Sequence, residues 1–295
     1  MAQWSTAVAI PNQTTKTSPA LAYLNGFLHL LHLGSSSDNI WYSYYDRGRW
    51  TPNVQTGLRS RGPVAFAAGP AYSNVGNDYG LLVYRSFEPA PDGGYGFLHS
   101  LSRGGNDPWV PSGLLPGKFT SEHPPALTVD REGKWMLGSV VTGSRSIRVA
   151  RYVETLGSTQ PLVLIDDGVV PNQSTKTTPA LALYAGQMHL LHLGGGSNDI
   201  WHSIDFAPNV RIPEQASKAT PAMAVYQNVL HMVHLGSGSE SLWHTTYTPH
   251  TGWTPNVRIP GQSSSAYPAL AVTPDALHLV YKGADSGRIW HSIYR

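Results

Sequence analysis

Four stretches of the chain are copies of one another. Residues 11–43 read PNQTTKTSPALAYLNGFLHLLHLGSSSDNIWYS, and residues 171–203 read PNQSTKTTPALALYAGQMHLLHLGGGSNDIWHS. A third copy, EQASKATPAMAVYQNVLHMVHLGSGSESLWHTTY, starts at Glu214, and a fourth, GQSSSAYPALAVTPDALHLVYKGADSGRIWHSIY, at Gly261. Two worn copies lie between the first and the second. One contains PVAFA, YGLLVYRS, YGFLHSLS and WVPSGLL; the other contains PPALTVD, KWMLGSVV, IRVARYV and PLVLI. The opening proline falls at Pro19, Pro63, Pro125, Pro179, Pro221 and Pro268, so successive units are 44, 62, 54, 42 and 47 residues apart. A unit this short cannot bury its own apolar face and must stack on its neighbours.

Each copy reads as four short strands, PALAxY, LHLLHL, IWHSxY and WTPNVRI, separated by turn signals such as Asn25-Gly26 and Pro260-Gly261. No window keeps the 3.6-residue apolar spacing of a helix. Four strands per repeat of about 40–45 residues is the pattern of a β-propeller. The expected fold is therefore all-β, a six-bladed propeller in one domain. The blades fall at about 14–54, 55–117, 118–172, 173–212, 213–259 and 260–295, the last completed by strand 4–10. That closure follows from spacing: Trp4 precedes Gln13 by nine residues, as Trp253 precedes Gln262. An N-terminal strand in the C-terminal blade leaves no open edge at the seam.

Composition removes several function classes. There are no cysteines, so disulfides, thiolate metal sites and cysteine nucleophiles are excluded. The net charge is +2, with Lys and Arg scattered rather than clustered, which argues against nucleic acid as a partner. No stretch approaches the roughly 18 apolar residues of a membrane span. The opening MAQWSTAVAIPNQ reads as lacking a secretory leader, which leaves any release to a non-classical route. No glycine loop lies between a strand and a helix to cradle a phosphate, and no cofactor is implied.

The pairs His29/His32, His189/His192 and His231/His234 have HxxH spacing, but they fall on expected strands. Residues three apart on a strand point to opposite faces. They are expected to pack between blades and to bond a neighbour's backbone, with no metal. Tracing the strands brings the second-to-third loop and the fourth-to-first crossing to one rim. That rim gathers Trp41, Trp201, Trp243 and Trp290; Lys16, Lys176 and Lys218; Gln13, Gln173, Gln215 and Gln262; and Ser36, Ser197 and Ser239. Indole, ammonium, amide and hydroxyl groups together complement a sugar, whose C–H face stacks on aromatics and whose hydroxyls need directed partners. Repetition around a ring adds avidity. The opposing reading is structural: any repeated residue can serve blade-to-blade contact, with the indoles as plugs and the glutamines satisfying turn backbone. Trp50 and Trp253 trace to the opposite rim, as packing residues.

The cassettes S/T-K-x-T/S-P-A-L-A, L-H-x-x-H-L-G, I-W-H-S and W-T-P-N-V resemble the repeat of the Photorhabdus lectin family in four of six units. The resemblance implies a β-propeller lectin for L-fucose and O-methylated sugars on glycoconjugates, with pockets between blades and no enzymatic activity; a homo-oligomer is allowed as a partner state, which the sequence leaves open. Members of that family are seven-bladed, whereas this chain supplies six units. Pockets are expected where both walls are intact, giving three or four sites on one arc.

Two rivals remain open. A sialidase-like glycosidase is suggested by D-S-G-R-I-W at Asp285–Trp290, which resembles an Asp-box turn. Hydrolysis needs converging carboxylates, and the candidates Glu122, Asp130, Asp166 and Asp167 all fall in the worn units. A protein-interaction, toxin or adhesin propeller is the other.

Overall fold

The computed structural model describes residues 3–69, 79–102, 108–117, 119–155 and 162–295. These form six antiparallel sheets, the blades of a propeller, with no helix among the described residues. Blade 1 holds Ala20–Leu24, Phe27–Leu33, Asn39–Asp46 and Val54–Arg59. Blade 2 holds Ala65–Gly69, Tyr79–Pro89, Tyr95–Ser102 and Val110–Leu114; blade 3 holds Ala126–Val129, Trp135–Val140, Ser146–Glu154 and Leu162–Ser174. Blade 4 holds Ala180–Tyr184, Gln187–Leu193, Asp199–Ile204 and Val210–Ala216; blade 5 holds Ala222–Tyr226, Val229–Leu235, Ser241–Thr248 and Val257–Ser263. Blade 6 takes Ala269–Thr273, Ala276–Lys282 and Arg288–Tyr294 from the C-terminus and Val8–Thr14 from the N-terminus.

The seam closes as the spacing predicts. Val8 pairs with His291, Trp4 bridges Tyr294, and Ser5 N donates to Ile293 O at 2.7 Å. The first strands line the axis, each touching the next and the last touching the first. Because every blade lies between two others, both faces of its second strand are buried. Leu28 and Leu30 pack toward blade 6 with Ile10 and Val280, while Leu31 and Leu33 pack toward blade 2 with Phe66 and Leu82. This explains why LHLLHL is apolar nearly throughout. Each such leucine stabilises by roughly 1.5–3 kcal/mol. The fourth strands form the outer rim and leave Val8, Val54, Val210 and Val257 exposed.

The hairpin between first and second strands is a two-residue turn in blades 1, 4, 5 and 6. Asn25-Gly26, Ala185-Gly186 and Gln227-Asn228 all have positive φ at both positions, the geometry that matches strand twist.

The histidines pack at blade junctions and several bond backbone oxygens as expected, but the first ring of each pair also meets a side-chain partner that spacing did not indicate. His189 Nδ1 meets His202 Nε2 at 2.9 Å, and His231/His244 and His278/His291 repeat that bond. The second ring comes from the I-W-H-S motif of the same blade. Blade 1 has Tyr42 there, whose hydroxyl lies 2.7 Å from His29 Nδ1. His29 Nε2 also reaches Leu24 O at 3.0 Å, and His231 bonds the Tyr226 backbone in the same way. The second members of the pairs point to the other face, where His32, His192 and His234 each donate from Nδ1 to the following leucine oxygen.

Candidate functional site

Grooves open between blades beside the tryptophans that start the third strands of blades 1, 5 and 6. Between blades 6 and 1 it has a volume near 480 Å³, bounded by Pro11, Asn12 and Thr14 on one side and by Gly34–Ser37 and Trp41 on the other. Trp50–Asn53 form its lower end. Between blades 4 and 5 an equivalent groove of about 380 Å³ holds Glu214, Gly236–Ser239, Trp243 and Asn256. Between blades 5 and 6 a third, of about 580 Å³, holds Gly261, Gly283–Ser286 and Trp290. Trp201 occupies the matching place between blades 3 and 4, with Asn172 and Ser174 opposite the Gly194–Ser197 loop.

Two local devices build these grooves. The first is a bulge. The outer strand of the preceding blade shifts register, and one residue of each P-x-Q, namely Asn12, Asn172, Glu214 and Gly261, turns to positive φ. A bulge bends the strand away from its partner and re-aims the side chains that follow. The second is a glycine at the head of the loop. A Cβ on Gly34 would lie 2.5 Å from Ser37 Oγ and 2.9 Å from Trp41 Nε1. Gly194, Gly236 and Gly283 are hemmed in by Ser197/Trp201, Ser239/Trp243 and Ser286/Trp290 in the same way. The spacing G-x-x-S-x-x-x-W thus clamps the indole, edge against backbone, leaving it half-buried in each groove.

The floor is a histidine–asparagine pair. His192 Nδ1 donates to Leu193 O, so the neutral ring accepts at Nε2, and Asn209 Nδ2 donates to it at 2.8 Å. Asn256 sets its Oδ1 3.0 Å from His234 Nε2, where turning the amide over would give the same N–H donation, and Asn53 stands beside His32. Burial holds His32, His192 and His234 below the usual histidine pKa, so these rings stay neutral at pH 7. In blade 6 the pair becomes Tyr281 and Ala7.

The structure thus brings the four tryptophans and the serines to the grooves and places the other candidates elsewhere. Ser36 lines its groove, but Ser37 is the counterpart of Ser197 and Ser239, and Ser286 is the fourth member. The glutamines are corrected to interior residues. Gln13, Gln173, Gln215 and Gln262 are each at most 4% exposed, so a ligand cannot reach them. They cross between blades: Gln13 Nε2 donates to Ser43 at 2.9 Å, Gln173 to Ser203 at 3.1 Å and Gln215 to Thr245 at 3.3 Å, while Ser292 donates to Gln262 at 3.0 Å. The lysines are corrected too. Lys16 pairs with Asp38, Lys176 with Asn198, and Lys218 with Glu240 at 3.6 Å. They tie the crossing segment to the loop tip, and none lines the grooves at Trp41, Trp243 or Trp290. Trp50 does not belong to an opposite rim: it borders the first groove while donating its N–H to His291. Asn53, Asn209 and Asn256 were missed, although their recurrence in T-P-N and A-P-N was visible.

The worn blades lack the indole. By register, Leu98 of blade 2 faces Tyr84, and Arg148 of blade 3 faces Ser139, as Trp41 faces His32. Of the acids there, Asp130 accepts from Arg151 at 2.6 Å, and Asp167 lies 3.9 Å from Arg148. Asp166 borders a separate cavity near 200 Å³.

No family model and no curated protein matches the chain. Among solved structures, AofleA from Arthrobotrys oligospora superposes with a TM-score of 0.69 at 10% identity, covering 99% of this chain and 87% of that one. Trypanosoma rangeli sialidase in complex with the inhibitor DANA gives 0.64 at 11% identity, covering 95% and 55%. A glucose dehydrogenase gives 0.58 at 15%, covering 98% of each chain. Identity this low carries the fold alone. Most of these neighbours are enzymes, including a GH43_1 enzyme of Xanthomonas citri. The expectation that the chain has no enzymatic activity is corrected accordingly: the architecture houses catalysis as well as binding, and repetition of the intact blades does not exclude it.

Proposed function

We propose that the protein is a multivalent carbohydrate-binding propeller whose sites are the grooves that begin at blades 1, 4, 5 and 6. One observation carries this reading: a clamped, half-buried indole recurs beside loop hydroxyls at four junctions, with an asparagine amide on the floor at three of them. An indole face takes the C–H side of a sugar ring, while serine hydroxyls accept and donate at fixed points. Open grooves of this size suit one or two sugar units rather than an enclosed ligand. AofleA stands among the structures of similar fold, and a sialidase and a GH43_1 enzyme stand beside it. The likeness of the repeat to Photorhabdus lectins supports the narrower assignment to L-fucose or O-methylated relatives on glycoconjugates.

A glycan array probed with and without free L-fucose tests it. Array binding that L-fucose abolishes supports the assignment. Binding that another monosaccharide abolishes keeps the site but replaces the ligand, and binding that no sugar inhibits removes the proposal in favour of a protein partner.

A further inference from the structure

Blade 2 departs from the repeat at three positions that meet. In intact units a lysine of the crossing segment pairs with the loop-tip side chain, as Lys16 does with Asp38. The equivalent pair in blade 2 is Arg61 and Tyr95. Backbone bonds establish the match: Ser60 N donates to Asp38 O as Thr15 N does to Gly287 O, and Ser60 Oγ donates to Gly62 O as Thr15 Oγ1 does to Thr17 O. Phe97 faces Arg85 as Ile40 faces Leu33, which puts Arg85 where blades 1, 4 and 5 have Leu33, Leu193 and Leu235 and blade 6 has Lys282. The acid has been lost and a second cation gained.

Both guanidinium groups sit beside one ring. Arg61 Cζ is 4.2 Å from the Tyr95 centroid and Arg85 Cζ is 5.7 Å from it. Gly62 makes the room, since a methyl group there would overlap the Arg85 guanidinium. Intact copies carry Thr17, Thr177 or Ala219 at that place. Glu122 offers Arg85 its backbone oxygen, not its carboxylate. Among the described residues neither arginine forms an ion pair, and Arg85 Nε is buried without a partner. Burial acts most against the protonated Arg85 and the charge of Arg61 adds to it, while the Tyr267 and Tyr95 side chains work the other way, with the net effect downward. Two like charges held together without an acid are costly unless an anion joins them. The planar, multi-donor guanidinium is the side chain suited to a carboxylate or sulfate.

We propose that Arg61 and Arg85, braced on Tyr95, bind one oxyanionic group, a carboxylate or a sulfate, on the arc of the ring that lacks the indole grooves. The site is independent of the grooves and recognises charge rather than a sugar face.

Calorimetric titration of the whole chain at low ionic strength tests this, using methyl glucuronide, methyl glucoside and sodium sulfate. The expected result is binding of the glucuronide or of sulfate, none of the glucoside, and affinity weakened about tenfold or more in R85L and in R61M. R85L restores the leucine of blades 1, 4 and 5, and Arg61 is exposed, so R61M leaves the blade core intact. L-Fucose binding is unchanged in both variants. Glucuronide binding marks sugar acids as the source, and sulfate alone marks the sulfate group. Binding of neither anion, or equal binding by the variants, overturns the proposal.

Discussion

Trp50 of blade 1 donates its indole N–H to Nδ1 of His291 in blade 6, 3.2 Å away, and Trp253 of blade 5 does the same to His202 of blade 4 at 3.1 Å. An acceptor at Nδ1 places the proton of His291 on Nε2, from which it is donated to His278 Nδ1; His278 then points its own Nε2–H at Thr273 Oγ1, 3.0 Å away. Every proton in this relay is assigned only while both rings are neutral. Protonating either one sets two donors against each other in a buried junction.

This sets the pH dependence of stability. Burial, with the neighbouring histidine adding to it, pushes His202, His244 and His291 down to about 3; burial also pushes His29, His231 and His278 down to about 4. The unfolded chain titrates near 6.5. Below that pH it binds protons that the folded protein refuses, so unfolding becomes easier as pH falls from 6.5 toward 3–4. Stability is complete above 6.5. Each such histidine adds up to about 1.4 kcal/mol per pH unit to the slope. Urea midpoints are expected to fall steeply between pH 6.5 and 4.5, and less steeply in H202Y, which copies Tyr42 of blade 1. A flat profile across that range would refute the neutral relay.

The inter-blade glutamines give a second expectation. Q173L removes donors to Ser203 Oγ and to Ala207 O, leaving a buried carbonyl less well satisfied. The cost is expected at about 1–3 kcal/mol in denaturant unfolding, with sugar stoichiometry unchanged. Loss of a sugar site with undiminished stability would return the glutamine to the groove.

The ring and its seam were legible because both depend on spacing along the chain. Six units and an orphan strand nine residues before Gln13 admit little else. The glutamines were misplaced because linear tracing assumes a regular fourth strand. The turn at Asn12, with φ of 57°, swings Gln13 inward to Ser43, and no composition rule announces it. The lysines were placed on the correct rim, but their partners were overlooked. Lys16–Asp38, Lys176–Asn198 and Lys218–Glu240 share one separation of 22 residues, a regularity present in the sequence. Trp50 was assigned to the wrong end because the short Arg49–Trp50 strand precedes a return toward Trp41 that strand counting does not resolve.

A stability gain is available at the blade-4 hairpin. Ala185 holds φ of 51° where Asn25 stands in blade 1, with a glycine following in both. Alanine is strained in the left-handed region by roughly 1–2 kcal/mol, which asparagine relieves in part. A185N should raise unfolding free energy by about 0.5–1 kcal/mol. No change, or a loss, in a urea titration would mean that the turn relaxes around the alanine.

The last expectation concerns how many grooves act. Sequence alone suggested three or four, each requiring two intact blades. The structure relaxes that condition, because a groove takes only the P-x-Q bulge from the preceding blade. Blade 3 is worn, yet it ends in Pro171-Asn172-Gln173 with Asn172 at φ of 56°, and its Ser174 abuts the Gly195 loop beneath Trp201. Four sites are therefore expected, at junctions 3/4, 4/5, 5/6 and 6/1, with none at 1/2 or 2/3, where Leu98 and Arg148 replace the indole. Titration with the array-selected sugar should give four equivalents, and W243A should give three with the rest unaltered. G236A should mimic it, since a methyl group there lies 3.0 Å from Trp243 Nε1 and 2.5 Å from Ser239 Oγ and must displace one of them. Retention of all four equivalents in both variants would detach sugar binding from the indole clamp.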